Sequence, residues 1–208
     1  MAADLHLEKG SSLARQGWFL PPYDSADTLA RLLAAVERTG ASRLVLLGDS
    51  FHDEDGPARL ADAAVQLLQA IAARVRIIWV AGNHDGVSPA MLPGAVVEEL
   101  WLAGIRLLHI PDAADARPQL AGHFHPKVQV PLRGGRSVSR RCLALGARRG
   151  ILPAYGAYAG GLNIWSDAIT AALDGAGDAV IATDDGLLRL SPPGFPRRAM
   201  RAAEARMM

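Results

Sequence analysis

Two short apolar runs limit what this chain can become. Arg43-Leu44-Val45-Leu46-Leu47 and Arg76-Ile77-Ile78-Trp79-Val80 each read as a buried strand. Each ends in a polar, glycine-led loop, Gly48-Asp49 and Gly82-Asn83-His84-Asp85. Amphipathic segments alternate with them. Leu29, Leu32, Leu33 and Val36 follow i, i+3, i+4, i+7, with Asp24-Ser25 as cap and Gly40 as stop. Pro57 opens a second helix with Leu60, Ala64, Leu67, Leu68 and Ile71 on one face. Strand, loop and helix therefore alternate, and in α/β sheets of this kind the reactive groups sit at the carboxyl ends of the strands.

The second half has a different texture. Residues 105–109, 128–132, 137–145 and 151–154 are short and strand-like, separated by Gly or Pro. Residues 165–173 read as a helix. Residues 179–183 and 187–190, joined through Asp184-Asp185-Gly186, read as a hairpin. The expected architecture is two sheets covered by helices, one from a βαβ-rich half and one from a β-rich half. No internal repeat is present. A single domain over 1–191 is expected, with 192–208 a flexible tail.

Composition excludes several classes. The 208 residues are 50% apolar, enough for a sizeable core. The one cysteine, Cys142, excludes an internal disulfide and a cysteine-cluster zinc site, and suits a reducing, cytoplasmic setting. No apolar run approaches the ~18 residues of a membrane span. Met1–Gly10 carries Asp4, Glu8 and Lys9 and has no apolar core, so it does not read as a secretory leader. Net charge is +1, which excludes a bulk polycation. That balance hides a segregation. From Ala116 to Ser166 there is no acidic residue, and Arg117, Lys127, Arg133, Arg136, Arg140, Arg141, Arg148 and Arg149 give this stretch a charge of +8. A segregated charge points to an anionic partner at one surface.

The chemistry lies in the histidines. His6, His52, His84, His109, His123 and His125 all fall in or beside predicted strand-end loops. Most belong to compact motifs: Asp4-Leu5-His6, GDSFHD (48–53), Gly82-Asn83-His84-Asp85 and Gly122-His123-Phe124-His125. Imidazole with carboxylate suits a first-row divalent cation such as Mn, Fe, Zn or Ni. The glycine before each of the last three motifs is expected to let the chain turn sharply. An Asp can be shared between two cations, one oxygen to each.

These ordered motifs resemble the calcineurin-like metallophosphoesterase superfamily. The finer resemblance is to the bacterial ligase-associated DNA-damage-response endonuclease family. ADLHLEKGSS (3–12), FLPPYD (19–24), GDSFHD (48–53), GNHD (82–85), AGHFHP (121–126), RRC (140–142) and PAYGAYAGGLNI (153–164) carry it, from residue 3 to about residue 190. The resemblance implies an α/β (α+β) fold, a four-layer αββα sandwich of two mixed sheets flanked by helices. It implies that Asp4, His6 and His125 bind one cation, that Asn83, His109 and His123 bind the other, and that Asp49 bridges them. The cofactor would be two divalent metal ions, manganese foremost. His84 would lie beside the phosphate as general acid or electrostatic stabiliser. The superfamily places Asp three residues after the bridging Asp; here that residue is His52. This variant is similar to the nuclease subunit of double-strand-break repair complexes, which makes His52 the partner of His84. Asp53 and Asp85 would support these groups from behind, fixing a ring tautomer or a loop.

The function so implied is a two-metal phosphodiesterase, a DNA nuclease in repair, with a DNA ligase and a helicase as partners and no membrane. A phosphatase or pyrophosphatase acting on a small phosphate ester or nucleotide would use the same site. A non-catalytic repair scaffold with structural metals is a third reading. Arg133, Arg136, Arg140 and Arg141 are candidate phosphate contacts, divided by strand parity. Tyr158 and Asn163 are candidate site-lining residues in a glycine-rich segment whose backbone passes close to the site. Lys9, Ser11 and Ser12 would touch substrate or form a solvated loop. One feature conflicts with the pattern. Only Met1, Ala2 and Ala3 precede Asp4, against ~5–6 residues for an ordinary strand. The strand carrying Asp4 is therefore expected to be cut short or missing, and the first cation site weak on a fray-prone terminus.

Overall fold

The computed structural model describes residues 1–85 and 92–192. The first sheet contains β1 (Ala2–Ala3), β2 (Arg43–Leu47), β3 (Arg76–Val80) and β4 (Ala95–Val97), all parallel and in that spatial order. Between its strands come α1 (Lys9–Arg15), α2 (Asp24–Thr39), α3 (Gly56–Arg59) and α4 (Asp62–Ala72).

The rest of the chain supplies β5 (Leu100–Leu102), β6 (Ile105–Leu107), β7 (Gln119–Ala121), β8 (Lys127–Pro131), β9 (Ser137–Arg141), β10 (Leu143–Leu145) and β11 (Arg149–Ile151). It closes with α5 (Asp167–Leu173), β12 (Asp178–Thr183) and β13 (Gly186–Leu190). A seven-stranded mixed sheet runs β13-β12-β10-β11-β7-β6-β5, and β8 with β9 forms a separate antiparallel hairpin.

After their leading arginines β2 and β3 are apolar because both of their faces are covered. Leu44 and Leu46, Ile77 and Trp79, and Ala2 point to the α2–α4 side, where they meet Leu29, Leu32, Leu68 and Ile71. The alternate residues Ala3, Val45, Leu47 and Val80 point the other way, onto Leu107 and Leu120 of the second sheet. A third core lies on the far face of that second sheet, where Ala144, Ile151, Ala179 and Ile181 pack on Ile169 and Leu173 of α5. Helices, sheet, sheet and helix thus make four layers.

Several elements depart from expectation. The strand before Asp4 is present. Ala2 and Ala3 pair with Leu46 and Leu47, and Tyr155 N and Gly156 N donate to Ala3 O and Asp4 O from the opposite side. Leu5 and Leu7 are fully buried, each stabilising this segment by roughly 1.5–3 kcal/mol. Asp4 therefore hangs on no frayed end. Asp24 and Ser25 do not cap α2: Asp24 Oδ2 accepts Gly10 N at 3.0 Å and Ser25 Oγ donates to Glu8 Oε1 at 2.8 Å. The helix opened by Pro57 breaks at Leu60, whose extended backbone lets its side chain join the core. Residues 137–145 divide because buried Cys142 donates its N–H to Pro126 O, leaving β9 on the hairpin and β10 in the large sheet. The last helix starts at Asp167. Residues 9–15 are helical, so Lys9, Ser11 and Ser12 sit on no solvated loop. Of the expected tail, 193–208 lies outside the described residues.

Candidate metal centre

Residues 2–7 run parallel to 46–52. Asp4 N donates to Gly48 O, His6 N to Asp49 O, Leu7 N to Ser50 O and His52 N to Leu7 O, at 2.9–3.1 Å. The sequence alternates polar and apolar here. Leu5 and Leu7 enter the helix-side core, while the intervening Asp4, His6 and Glu8 take φ of 54°, 43° and 61°. Asp49, His123 and His125 are also left-handed, at 45°, 74° and 48°. Each such residue costs on the order of 1 kcal/mol or more and persists only where its surroundings hold it.

Those residues converge. His6 Nε2 lies 3.2 Å from His125 Nε2, which lies 3.3 Å from Asp4 Oδ1. Both Asp4 oxygens accept His123 N, at 3.0 and 3.1 Å. Burial and the neighbouring His125 push the His6 pKa down to about 3, so this ring is neutral near pH 7. Its buried Nδ1 has no partner among the described residues. Two ligands bound 2.0–2.2 Å from one cation, at octahedral or tetrahedral angles, stand roughly 2.8–3.6 Å apart. The observed spacings match.

The second group is centred on His109. Its Nδ1 faces Leu47 O at 3.2 Å, and only an N–H can face a carbonyl, so Nε2 of the neutral ring carries a lone pair. Yet Nε2 faces Asn83 Oδ1 at 2.8 Å, His123 Nδ1 at 3.2 Å and Asp49 Oδ1 at 3.3 Å. Nε2 and these three atoms can all turn lone pairs to one point, an arrangement that suits a positive charge there. Without a cation a proton substitutes: burial alone would lower the His109 pKa, but the hydrogen bond and charge of Asp49 outweigh it and raise it. Burial likewise opposes ionisation of Asp49, and His109 with His84 overcomes it, leaving Asp49 at about 2. Both donor sets, Asp4–His6–His125 and Asp49–His109–His123, therefore fit divalent cations.

The glycines serve this convergence differently than expected. Gly48 is left-handed at φ 71°. At Gly82 and Gly122 the requirement is space. A Cβ on Gly82 would fall on the Asp49 backbone nitrogen, and one on Gly122 would sit 2.6 Å from Asp4 Oδ2.

His84 N donates to Asp49 Oδ1 at 3.0 Å, and its half-exposed ring has Nε2 4.0 Å from Asp49 Oδ2. His52 stacks on it, with centroids 5.9 Å apart and planes 11° from parallel. The His6 ring is 5.6 Å from one and 5.8 Å from the other. His52 and His84 are thus together, face to face, beside the first donor set. Asp85 accepts Phe51 N and Gly82 N, both at 3.0 Å, and joins the two loops that carry the candidate ligands Asp49 and Asn83. Asp53 is placed otherwise: it holds Arg59 at 2.8 Å and reaches neither His52 nor His84 by a hydrogen bond among the described residues.

The proposed substrate contacts divide. Arg141 donates to the carbonyls of Tyr155, Gly156 and Ala157 at 2.7–3.3 Å. It braces the segment that clasps β1 and is not open to a phosphate. Tyr158 Oη donates to Pro21 O, and Asn163 Oδ1 accepts Trp165 N, so both side chains serve loops. The backbone of 154–156 does pass the site. Arg149 is buried against carbonyls, and Arg117 is paired with Asp115. Arg133, Arg136 and Arg140 remain exposed on the hairpin that begins two residues after His125. Sequence reasoning missed Glu8, whose buried carboxylate accepts Ser25 Oγ at 2.8 Å and Ser11 Oγ at 2.7 Å and fixes the turn after His6. Its signal was legible: Asp4, His6 and Glu8 share one parity.

Comparison with known proteins gives three findings. The family profile described as Calcineurin-like phosphoesterase matches residues 1–183. Pseudomonas putida nuclease MPE, a crystal structure, is similar with a TM-score of 0.67 and 28% identity, over 86% of this chain and 82% of that one. No curated protein matches the chain.

Proposed function

The chain belongs to the calcineurin-like phosphoesterase family, and from that premise we propose that this metal-dependent hydrolase is a two-cation phosphodiesterase that cuts DNA, a nuclease of DNA repair. The observation that carries the reading is the convergence of Asn83 Oδ1, His123 Nδ1 and Asp49 Oδ1 on His109 Nε2, beside the Asp4–His6–His125 set. Similarity to a nuclease over most of both chains supports nucleic acid as the substrate.

Asp4, His6 and His125 would hold one cation and Asn83, His109 and His123 the other, with Asp49 between them. When bound, two divalent cations, manganese by preference, neutralise phosphoryl oxygens and lower the pKa of a coordinated water for in-line displacement. The protein supplies orientation and a proton. Leu47 O fixes the His109 tautomer. His84, with its exposed ring beside Asp49, protonates the leaving oxygen, a step worth roughly 10²–10⁴-fold. His52 lies near-parallel to it, as a neighbour that would act with it. Arg133, Arg136 and Arg140 would contact backbone phosphates and make affinity salt-dependent. No helix among the described residues is long and apolar enough to cross a membrane. We place the enzyme in the cytoplasm, acting with a ligase and a helicase.

The test is an activity panel in manganese comparing circular single-stranded DNA, duplex DNA, bis-p-nitrophenyl phosphate and p-nitrophenyl phosphate. Cleavage of DNA and the diester is expected. Monoester cleavage without diester cleavage overturns the proposal.

A further inference from the structure

The donor set around His109 opens into a cleft that no ligand role above uses. Its volume is about 420 Å³, enough for a nucleoside, and its lining joins Asn83 and His109 with Glu98, Glu99 and Arg106. Ala81, Leu108 and Ile110 add apolar surface to it. The cleft takes residues from the second donor set and none from Asp4, His6 or His125. A group lying in it is therefore directly joined to whatever reacts at that end of the centre.

Charge decides what that group is. Arg106 is held by three carboxylates: Nε and Nη2 meet Glu99 at 2.6–2.7 Å, and Nη1 meets Asp112 and Asp115 at 2.9 Å. Its charge is more than balanced by them. Glu98 is exposed and has no ion pair or hydrogen bond among the described residues. A carboxylate rim with no available cation repels a phosphodiester backbone and accepts N–H donors. Apolar surface together with a carboxylate suits a planar base whose edge carries an amino group, as a carboxylate accepts from cytosine N4.

We propose that this cleft binds the nucleobase next to the reacting phosphate and that Glu98 selects bases with an exocyclic amino group over thymine. The proposal rests on the phosphodiesterase reading and adds base preference to it. A site made to hydrogen-bond a donor disfavours a base that presents an acceptor instead, and a preference of roughly tenfold is expected.

The test uses the full chain in manganese with the 5′-p-nitrophenyl phosphates of deoxycytidine and thymidine. Calorimetric binding of dCMP and dTMP runs in parallel, because it requires no turnover. Wild type should favour cytidine about tenfold in kcat/KM and in affinity. E98Q should collapse both ratios towards one. I110W, at a position 46% exposed and so tolerant of a larger side chain, should fill the cleft and weaken both nucleotides. Equal binding of dCMP and dTMP by wild type, or a preference that survives E98Q and I110W, overturns the assignment. Retained base preference in binding with no diester cleavage leaves the cleft standing and overturns the phosphodiesterase reading instead.

Discussion

Asp85→Asn tests whether the centre depends on the joint between its two loops. The Asp85 carboxylate accepts Phe51 N from the loop carrying Asp49 and His52, and Gly82 N from the loop carrying Asn83 and His84. An asparagine of the same shape accepts one N–H and turns its own NH₂ towards the other. One hydrogen bond to a charged group, about 1.5–3 kcal/mol, is lost, and a partly buried donor then faces a donor at a further ~1–3 kcal/mol. Because Asp85 is not fully buried, solvent screens part of this, and about 2–4 kcal/mol is expected. For a domain of this size each kcal/mol moves Tm by ~2–4 °C, so metal-free D85N should melt about 4–15 °C below wild type. The joint positions Asp49 against Asn83, so the second manganese step should also weaken by ~10–100-fold, as is usual for groups that orient ligands. The first step, on Asp4, His6 and His125, should change much less. Differential scanning fluorimetry in EDTA and a manganese titration followed by EPR read the two effects. An unchanged Tm together with an unchanged two-step isotherm would refute the reasoning.

Three further outcomes are expected. His84→Ala should reduce turnover on a diester by ~10²–10⁴ while both cations still bind; retained turnover would mean that the proton comes from elsewhere. Stability of the metal-free protein should fall as pH drops from about 7 to 5, because burial holds His6, His52 and His123 below their ordinary value of 6.5. The unfolded chain then binds protons that the folded chain refuses; His109, raised by Asp49, opposes this, and Asp49 itself loses its contribution only as pH falls from about 4 towards about 2. A Tm series in EDTA that is flat or rises towards pH 5 counts against that balance. Replacing Arg133, Arg136 and Arg140 together with Ala should lower the salt slope of single-stranded DNA binding by up to ~1 for each phosphate contact removed, and an unchanged slope would remove the hairpin from the DNA path.

Much of this molecule was legible in the chain because two-sided burial writes itself as uninterrupted apolar runs. Leu44 to Leu47 and Ile77 to Val80 could only be interior strands, and the polar loops after them had to carry the chemistry. What stayed hidden was the use of side chains over distance. Asp24 and Ser25 look like a helix cap, yet they secure Gly10 and Glu8 seventeen or fewer residues away. Arg141 sits in a run of arginines and reads as a phosphate contact, but burial gives it to three carbonyls. Gly82 and Gly122 look like turn residues, and their purpose is to let Asp49 and Asp4 approach. Helix α1 is not legible because Gly10, Ser11 and Ser12 are weak helix formers, and the contacts of Glu8 with Ser25 and of Gly10 with Asp24 decide the matter.

The two-residue strand β1 has a consequence in time. It is held on one flank by Leu46 and Leu47 and on the other by the backbone of 154–156, while Asp4 needs His123 and His125. The first candidate ligands to leave the ribosome therefore wait for His123 and His125, and β1 waits for residues 154–156 to cover its second flank. At roughly 5–20 residues per second that delay is about 8–30 seconds. The first donor set is accordingly completed late in synthesis: a chain interrupted before residue 123 keeps Asp4 and His6 paired with Gly48 and Asp49 but lacks the His125 that completes the set.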